Sequence, residues 1–315
     1  MLEVAIAAQK GSFRLEVAFA YPPGHVVAVF GPSGAGKSTL LAALAGTLPT
    51  VRGRIAWEGT AWLAEGRPPL PPWRRPVGFL GQEPFLLRRR SVEDNLLLVP
   101  GATREAALTC LGELGLAHLA GRPAGQLSGG EAHLVALARL LLRPHVLSLL
   151  DEPWAHLDRR LGEEVAEVLL TRLAAPNRLV LFVSHAWEAV ERLADQVLLV
   201  DGGRLYGAGS PVSLMANPPS RTFARLFGYV GVVAAGTRRY LVHPGRLLPG
   251  AHPERGPVVP VRSTRRVLRH GLPAALAELP GGVDVLLPGT EGSTHVTLIE
   301  PPSPPPDVRP GEGPL

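Results

Sequence analysis

The residues best suited to chemistry in this chain lie in the run Gly31-Pro32-Ser33-Gly34-Ala35-Gly36-Lys37-Ser38-Thr39. Its glycines let consecutive backbone N–H groups converge on phosphate oxygens, and a helix starting at its end adds the positive end of its dipole. In such a loop Lys37 reaches terminal phosphates and the Ser38 hydroxyl meets a magnesium ion. Asp151 and Glu152 end a second apolar run, Val146–Leu150. The first is then placed for a metal bound to phosphates and the second for polarising an attacking water. Alone, such a pair reads equally well as a polar strand cap; beside a phosphate loop it reads as chemistry. His185 ends the run Leu181-Phe182-Val183-Ser184, as a structural histidine or as one beside a transferring phosphate. Gln82 follows Gly78-Phe79-Leu80-Gly81, and its amide suits either magnesium and water or a polar turn.

A third cluster, Leu127-Ser128-Gly129-Gly130-Glu131, has two readings. Ser128 and Glu131 have the spacing of a capping box at a helix start. A cap does not require two glycines between its ends, and these leave N–H groups open to an anion. No lysine or arginine stands within the turn, so the cation for that anion can come from another copy of the chain.

Positioning these groups requires a particular order of elements. Val26–Phe30 reads as a buried strand, and Leu40–Ala45 as a helix that stops at Gly46. Val146–Leu150 and Leu179–Val183 are continuous apolar runs of strand length, which suggest a parallel sheet covered on both faces. Gln196–Val200 and Gly203–Tyr206 flank Asp201-Gly202 as a hairpin. Between Phe85 and Leu142 the spacing turns helical, with Ala106, Leu108, Leu111, Leu114 and Leu116 as an apolar face. The expected fold is α/β with a mostly parallel sheet and a helical subdomain inserted at about 85–144, within a domain covering 1–228. Short runs at Arg239–Val242, Val258–Val261, Val283–Leu287 and His295–Leu298 predict a small all-β barrel or sandwich over 229–300. Residues 301–315 are too proline-rich to pack and read as a disordered tail.

Composition bounds the function. With 46% hydrophobic and 19% charged residues the chain is globular, and its one cysteine, Cys110, excludes a disulfide framework and suits the cytoplasm. Met1–Phe13 reads as neither a basic leader nor a long apolar signal. The most apolar run, His133–Leu150, is interrupted by Arg139, Arg143, Pro144 and His145, which argues against a membrane span. The net charge of +5 is spread among acids rather than gathered in a stripe, against nucleic-acid binding. Only Lys10 and Lys37 are lysines; the other thirty basic residues are arginine, so a specific task is expected at one of the two lysines.

In order and spacing, the phosphate loop, Gln82, Leu127–Glu131, Leu149–Pro153, the segment Ala155–Asp158 and His185 resemble the ATPase subunits of ABC transporters over roughly residues 1–228. The resemblance implies a P-loop NTPase core, ATP and Mg2+ as cofactors, and a head-to-tail homodimer. In it Leu127–Glu131 of one copy would close over the ATP held by Lys37 of the other. Asp158 would link the two sites, His185 would contact the γ-phosphate, and Ser38, Gln82 and Asp151 would hold magnesium, Asp151 directly or through water. Phe13 would stack on adenine or serve the sheet core. Three departures stand out: Ala155-His156 where the family usually has Ser-Ala, Ala132-His133-Leu134 after Glu131, and Gly81 in place of an aromatic.

Leu70–Phe79 and Ser91–Leu96 resemble the importer branch. The region from Leu241 to Pro302 is similar to the small TOBE-like, OB-fold domain of oxyanion, sugar and polyamine importers, and Val183–Val190 is similar to molybdate importers. The resemblance implies a peripheral ATP hydrolase on the cytoplasmic face of the inner membrane, powering uptake of molybdate or a related oxyanion. Integral membrane permease subunits would dock near Gln82–Leu87, with a solute-binding protein acting indirectly. Alternative cargoes are sulfate, iron, polyamine or sugar. A soluble ABC ATPase acting on nucleic acid or the ribosome is the rival class, disfavoured by the single phosphate loop and the lack of heptads. The C-terminal domain reads as a regulator that binds an oxyanion through Arg262, Arg265 and Arg266, or those arginines read as a solvated face.

Overall fold

The computed structural model describes residues 1–155 and 157–229, and the strands 231–235, 238–242, 247–249, 258–260, 263–269, 272–279, 283–288 and 295–298. The chain divides into two compact units, Met1–Pro211 and Val212–Leu315.

The first unit begins with two half-buried strands, β1 (Leu2–Lys10) and β2 (Phe13–Tyr21). Leu2, Val4, Ile6 and Ala8 alternate inward along β1, the pattern of a sheet covered on one face. The fully buried β3 (Val26–Phe30) leads through the phosphate loop into α1 (Lys37–Ala45). β4 (Val51–Trp57), β5 (Thr60–Leu63) and β6 (Val77–Leu80) follow. Three helices come next: α2 (Val92–Leu97), α3 (Arg104–Glu113) and α4 (Gly129–Leu142). The unit is completed by β7 (Leu147–Asp151), α5 (Arg159–Leu173), β8 (Leu179–Val183), α6 (Trp187–Leu193), β9 (Gln196–Asp201) and β10 (Arg204–Gly209).

Ten strands form one sheet in the order β5-β4-β1-β2-β10-β9-β3-β8-β7-β6. The expectation of a mostly parallel sheet needs correction, because the sheet is mixed. Its parallel part runs from β6 to β9, built from the continuous apolar runs. Beyond it β1 pairs antiparallel with β2 and β4, β4 with β5, and β10 with β9, while β2 meets β10 in parallel at Glu16 and Arg204. The cause is local: these strands alternate or are short, and tight turns join β1 to β2, β4 to β5 and β9 to β10.

The apolar face of α3 also differs from the expected one. Ala107, Cys110, Leu111, Leu114 and Leu116 are buried, whereas Leu108 is 38% exposed. Ala106 is likewise on the exposed side. Between β6 and β7, His145 fills an unusual place. Its ring lies over Gly78 of β6, where an added Cβ would come within 2.8 Å of it. The same ring bonds the Ser148 hydroxyl at 2.8 Å, and Ser148 is the register partner of Gly78.

In the second unit, α7 (Pro211–Ala216, which starts at the boundary) and α8 (Arg221–Leu226) are tied by the Tyr229 hydroxyl, which donates to the Met215 carbonyl at 2.7 Å. The elements described beyond them are all strands: β11 (Gly231–Ala235), β12 (Arg238–Val242), β13 (Leu247–Pro249), β14 (Val258–Pro260), β15 (Ser263–Arg269), β16 (Leu272–Leu279), β17 (Val283–Pro288) and β18 (His295–Leu298). They pair as β11-β12, β13-β18-β14 and β15-β16-β17. His156 and the expected tail at 301–315 lie outside the described residues.

Candidate functional site

The site starts where β3 ends. Gly31 passes so close to β9 that an added Cβ would stand 1.9 Å from the Val200 carbonyl oxygen. Gly36, at φ 101°, is the N-cap of α1 and offers no side-chain cap. The first-turn N–H groups of α1 therefore remain directed at whatever anion lies in the loop. A Cβ on Gly36 would also meet the Phe13 ring at 2.6 Å, so the ring lies directly on the loop. The other end of α1 is closed by Gly46 and by the buried Arg75, which donates to the carbonyls of Leu44 at 2.7 Å and Ala43 at 3.2 Å. The helix that carries Lys37 is thus anchored at its far end by the residue that leads into β6 and Gln82.

Lys37 is 5% exposed and donates to the carbonyl oxygens of Gly31 and Pro32, each at 2.8 Å. Burial lowers its pKa; the carboxylates of Glu152 and Asp151 oppose that shift. Asp151, the last residue of β7, is 3% exposed. Burial raises its pKa, and a hydrogen bond with the Ser38 side chain works the other way. Its Oδ1 is buried without a hydrogen-bond partner. An orphaned carboxylate oxygen beside a hydroxyl fits magnesium, a hard cation that takes one or two protein oxygens together with phosphate oxygens and water.

Glu152 has φ 52°, in the left-handed region that costs a non-glycine residue about 1 kcal/mol or more. Its Oε1 accepts from His185 Nε2 at 2.7 Å. Its neighbour Asp151 ends the strand, so this backbone turn is what separates the buried carboxylate from the one that faces the cavity. A cavity of about 310 Å³ joins these groups: Ser33–Thr39, Phe13, Gln82, Glu152 and His185 line it. Lys10 also lines it, a contributor the sequence reasoning did not assign. The available signal was the rarity of lysine.

Two expected groups stand apart from this cavity. Leu127, Ser128, Gly129, Gly130 and Glu131 do not line it. Ser128 and Glu131 form the expected capping box: Ser128 Oγ accepts from the Glu131 N–H at 3.3 Å, and Glu131 Oε2 from the Ser128 N–H at 2.7 Å. That backbone donor holds the Glu131 carboxyl below its ordinary pKa. Ser128 and Gly129 are exposed, and a Cβ on Gly129 would meet nothing within 4 Å. Asp158 caps α5, accepting from the Leu161 N–H at 3.0 Å, and is also exposed.

A family model described as ABC transporter matches residues 15–155. The molybdenum import ATP-binding protein ModC of Brucella abortus (strain 2308) is 36% identical over 245 residues, covering 76% of this chain and 68% of that protein. The chain belongs to the ABC transporter family. Within that family, the corresponding protein of Rhodobacter capsulatus is 39% identical over 224 residues, which are 69% of this chain and 61% of the relative. That of Aromatoleum aromaticum (strain DSM 19018 / LMG 30748 / EbN1) is 42% identical over 211 residues, 65% and 56% of the two. The chain therefore spans less than two thirds of the length of these last two relatives.

Solved structures of the ABC transporter family share the fold. An ATP-binding subunit of an ABC transporter, 25% identical, aligns with a TM-score of 0.59 over 68% of this chain and 91% of that one. A nucleotide-free ATP-binding cassette, 24% identical, aligns at 0.61 over 72% and 98%.

Proposed function

We propose that this chain is the ATP-binding subunit of an ABC importer, which hydrolyses ATP in a head-to-tail dimer to drive uptake of molybdate or a related oxyanion. The observation that carries the reading is the cavity itself, in which Lys37 and the open N-terminus of α1 face the paired Glu152 and His185. Cations and N–H groups at one side hold a triphosphate; the carboxylate at the other positions water for in-line attack.

In this reading Lys37 exchanges the carbonyls of Gly31 and Pro32 for phosphate oxygens. The Phe13 ring, resting on Gly36, receives the adenine. Ser38 and Asp151 would hold magnesium, with Gln82 contributing its amide, and the ion would neutralise charge developing on the phosphates. Glu152 orients the attacking water and takes its proton, while His185 turns from Glu152 towards the γ-phosphate. The exposed turn at Leu127–Glu131 supplies the last N–H groups from the second copy, and the exposed Asp158 lies at the join. The likeness to molybdenum import proteins supports the cargo.

Permease subunits would dock on the segment after Gln82. Phe85 is 72% and Leu87 50% exposed, and a cavity of about 440 Å³ lined by Phe85, Leu98, Ala136 and Leu140 adjoins it. Exposed apolar side chains around a concavity are what a partner helix requires. Among the described residues no helix is long and apolar enough to cross a membrane. The chain would then act at the cytoplasmic face of the inner membrane, with a solute-binding protein delivering cargo to the permease and no nucleic acid involved. The strands after residue 229 would form a small OB-like β domain following an ATPase domain at 1–228, with the helical subdomain at about 85–144. Reconstitution with a permease and binding protein tests the reading: molybdate should raise ATP turnover more than sulfate does, and no response to any oxyanion would overturn the cargo.

A further inference from the structure

We propose that Lys10 is a second nucleotide-contacting cation, directed at the phosphate nearest the nucleoside. The proposal rests on the reading that the cavity binds ATP. Of thirty-two basic side chains only two are lysine, and both line this one cavity. Their positions in the fold are unrelated: Lys37 opens α1, and Lys10 is the last residue of β1.

The geometry gives Lys10 a fixed post. It is the register partner of Phe13 across the β1–β2 turn. Gly11, at φ 59°, makes that turn; the Gln9 side chain donates to the Gly11 carbonyl at 3.2 Å, and the Thr50 hydroxyl donates to the Gln9 carbonyl. Phe13 in turn lies against Gly36, so the hairpin tip is held on the phosphate loop. Lys10 is consequently carried beside Phe13 in the cavity lining.

The two ammonium groups differ in what they already touch. Lys37 has two backbone acceptors, and Asp151 and Glu152 act on it electrostatically. Lys10 is exposed and forms no side-chain hydrogen bond or ion pair among the described residues, whereas the neighbouring Arg14 pairs with Glu16 at 3.1 Å. A flexible ammonium beside an aromatic ring that receives a base is within reach of the α-phosphate and complements the terminal phosphates held by Lys37.

Calorimetry of the full chain with ATP and ADP tests this. Lys10→Met should weaken both nucleotides by about five- to tenfold, the scale of one charge-assisted contact, while Lys10→Arg restores most of the affinity. The KM for ATP should rise by a similar factor in Lys10→Met and recover in Lys10→Arg. Amine-reactive labelling followed by peptide mass analysis should show Lys10 protected by ATP or ADP and by neither adenosine nor inorganic triphosphate. Unchanged affinities in Lys10→Met, or labelling indifferent to ATP, would overturn the role of Lys10 alone. An unaltered chain that binds no ATP would overturn the reading of the cavity as well.

Discussion

Arg139 donates to two successive carbonyl oxygens, Nη1 to Phe85 at 2.9 Å and Nη2 to Pro84 at 3.0 Å. This fork joins α4, whose first turn is Ser128–Glu131, to the loop that follows Gln82. It also holds a residue in a costly conformation, because Phe85 has φ 45° while its side chain is 72% exposed. Arg139→Met keeps the apolar stem and removes both donors. Stability should fall by about 1–3 kcal/mol, read from denaturant melts. Amide exchange should accelerate at residues 83–87, and retention of the parent exchange rates would show that the fork does not hold the loop.

Glu152→Gln should lower ATP turnover by about a hundredfold or more while leaving ATP binding intact, because the amide keeps the shape and cannot take a proton. Phosphate release and nucleotide binding measure the two effects separately. Dimers should accumulate with ATP in this variant, as seen by light scattering; undiminished turnover would remove Glu152 as the base.

Ser128 and Gly129 should separate folding from function. Ser128→Ala removes a cap and should cost about 1 kcal/mol in thermal or denaturant melts. Gly129→Ala adds a methyl where nothing lies within 4 Å, and Ala favours helix, so the isolated fold should lose no stability. That methyl would nonetheless obstruct an anion brought by a second copy. Turnover should drop, and steady-state assays at several protein concentrations can detect it.

Cys110 should make the fold sensitive to alkali. Burial, with the nearby Glu113 charge adding to it, raises its thiol from 9.0 to about 11. The unfolded chain therefore loses its proton first. The stabilisation is complete below about pH 9 and is lost as the pH rises through about 11. Tyr21, also raised by burial, acts in the same direction. Melting temperatures at pH 8 and pH 10.5 should fall further for the parent than for Cys110→Ala, and the native thiol should resist a thiol-specific reagent.

What the sequence made legible is mostly what glycine spacing and continuous apolar runs encode. Gly31–Ser38, the end of α1 at Gly46 and the strands β3, β7 and β8 stand where those signals placed them, to within a residue. The antiparallel flank was not visible, because the half-buried alternation of β1 and β2 specifies a face without specifying partners. Helical spacing places Ala106 and Leu108 on the inward face, whereas α3 buries Ala107, Cys110 and Leu111. Leu272–Leu279 is rich in Ala and Leu, yet forms β16 between two partners, where cross-strand pairing overrides helix propensity. At the site, residue types single out Lys37, Asp151 and Glu152 as candidates. The left-handed backbone that turns Glu152 from its neighbour has no sequence signature, and neither does the fold-dependent placement of Lys10 in the same cavity lining as the phosphate loop.

The contact between Gly78, His145 and Ser148 has a consequence for evolution. A side chain at position 78 has no room while an imidazole lies over it, and a smaller residue at 145 would strand the Ser148 hydroxyl beneath β6. Relatives should exchange them together, so this trio should emerge as a covarying set in which no single replacement is neutral.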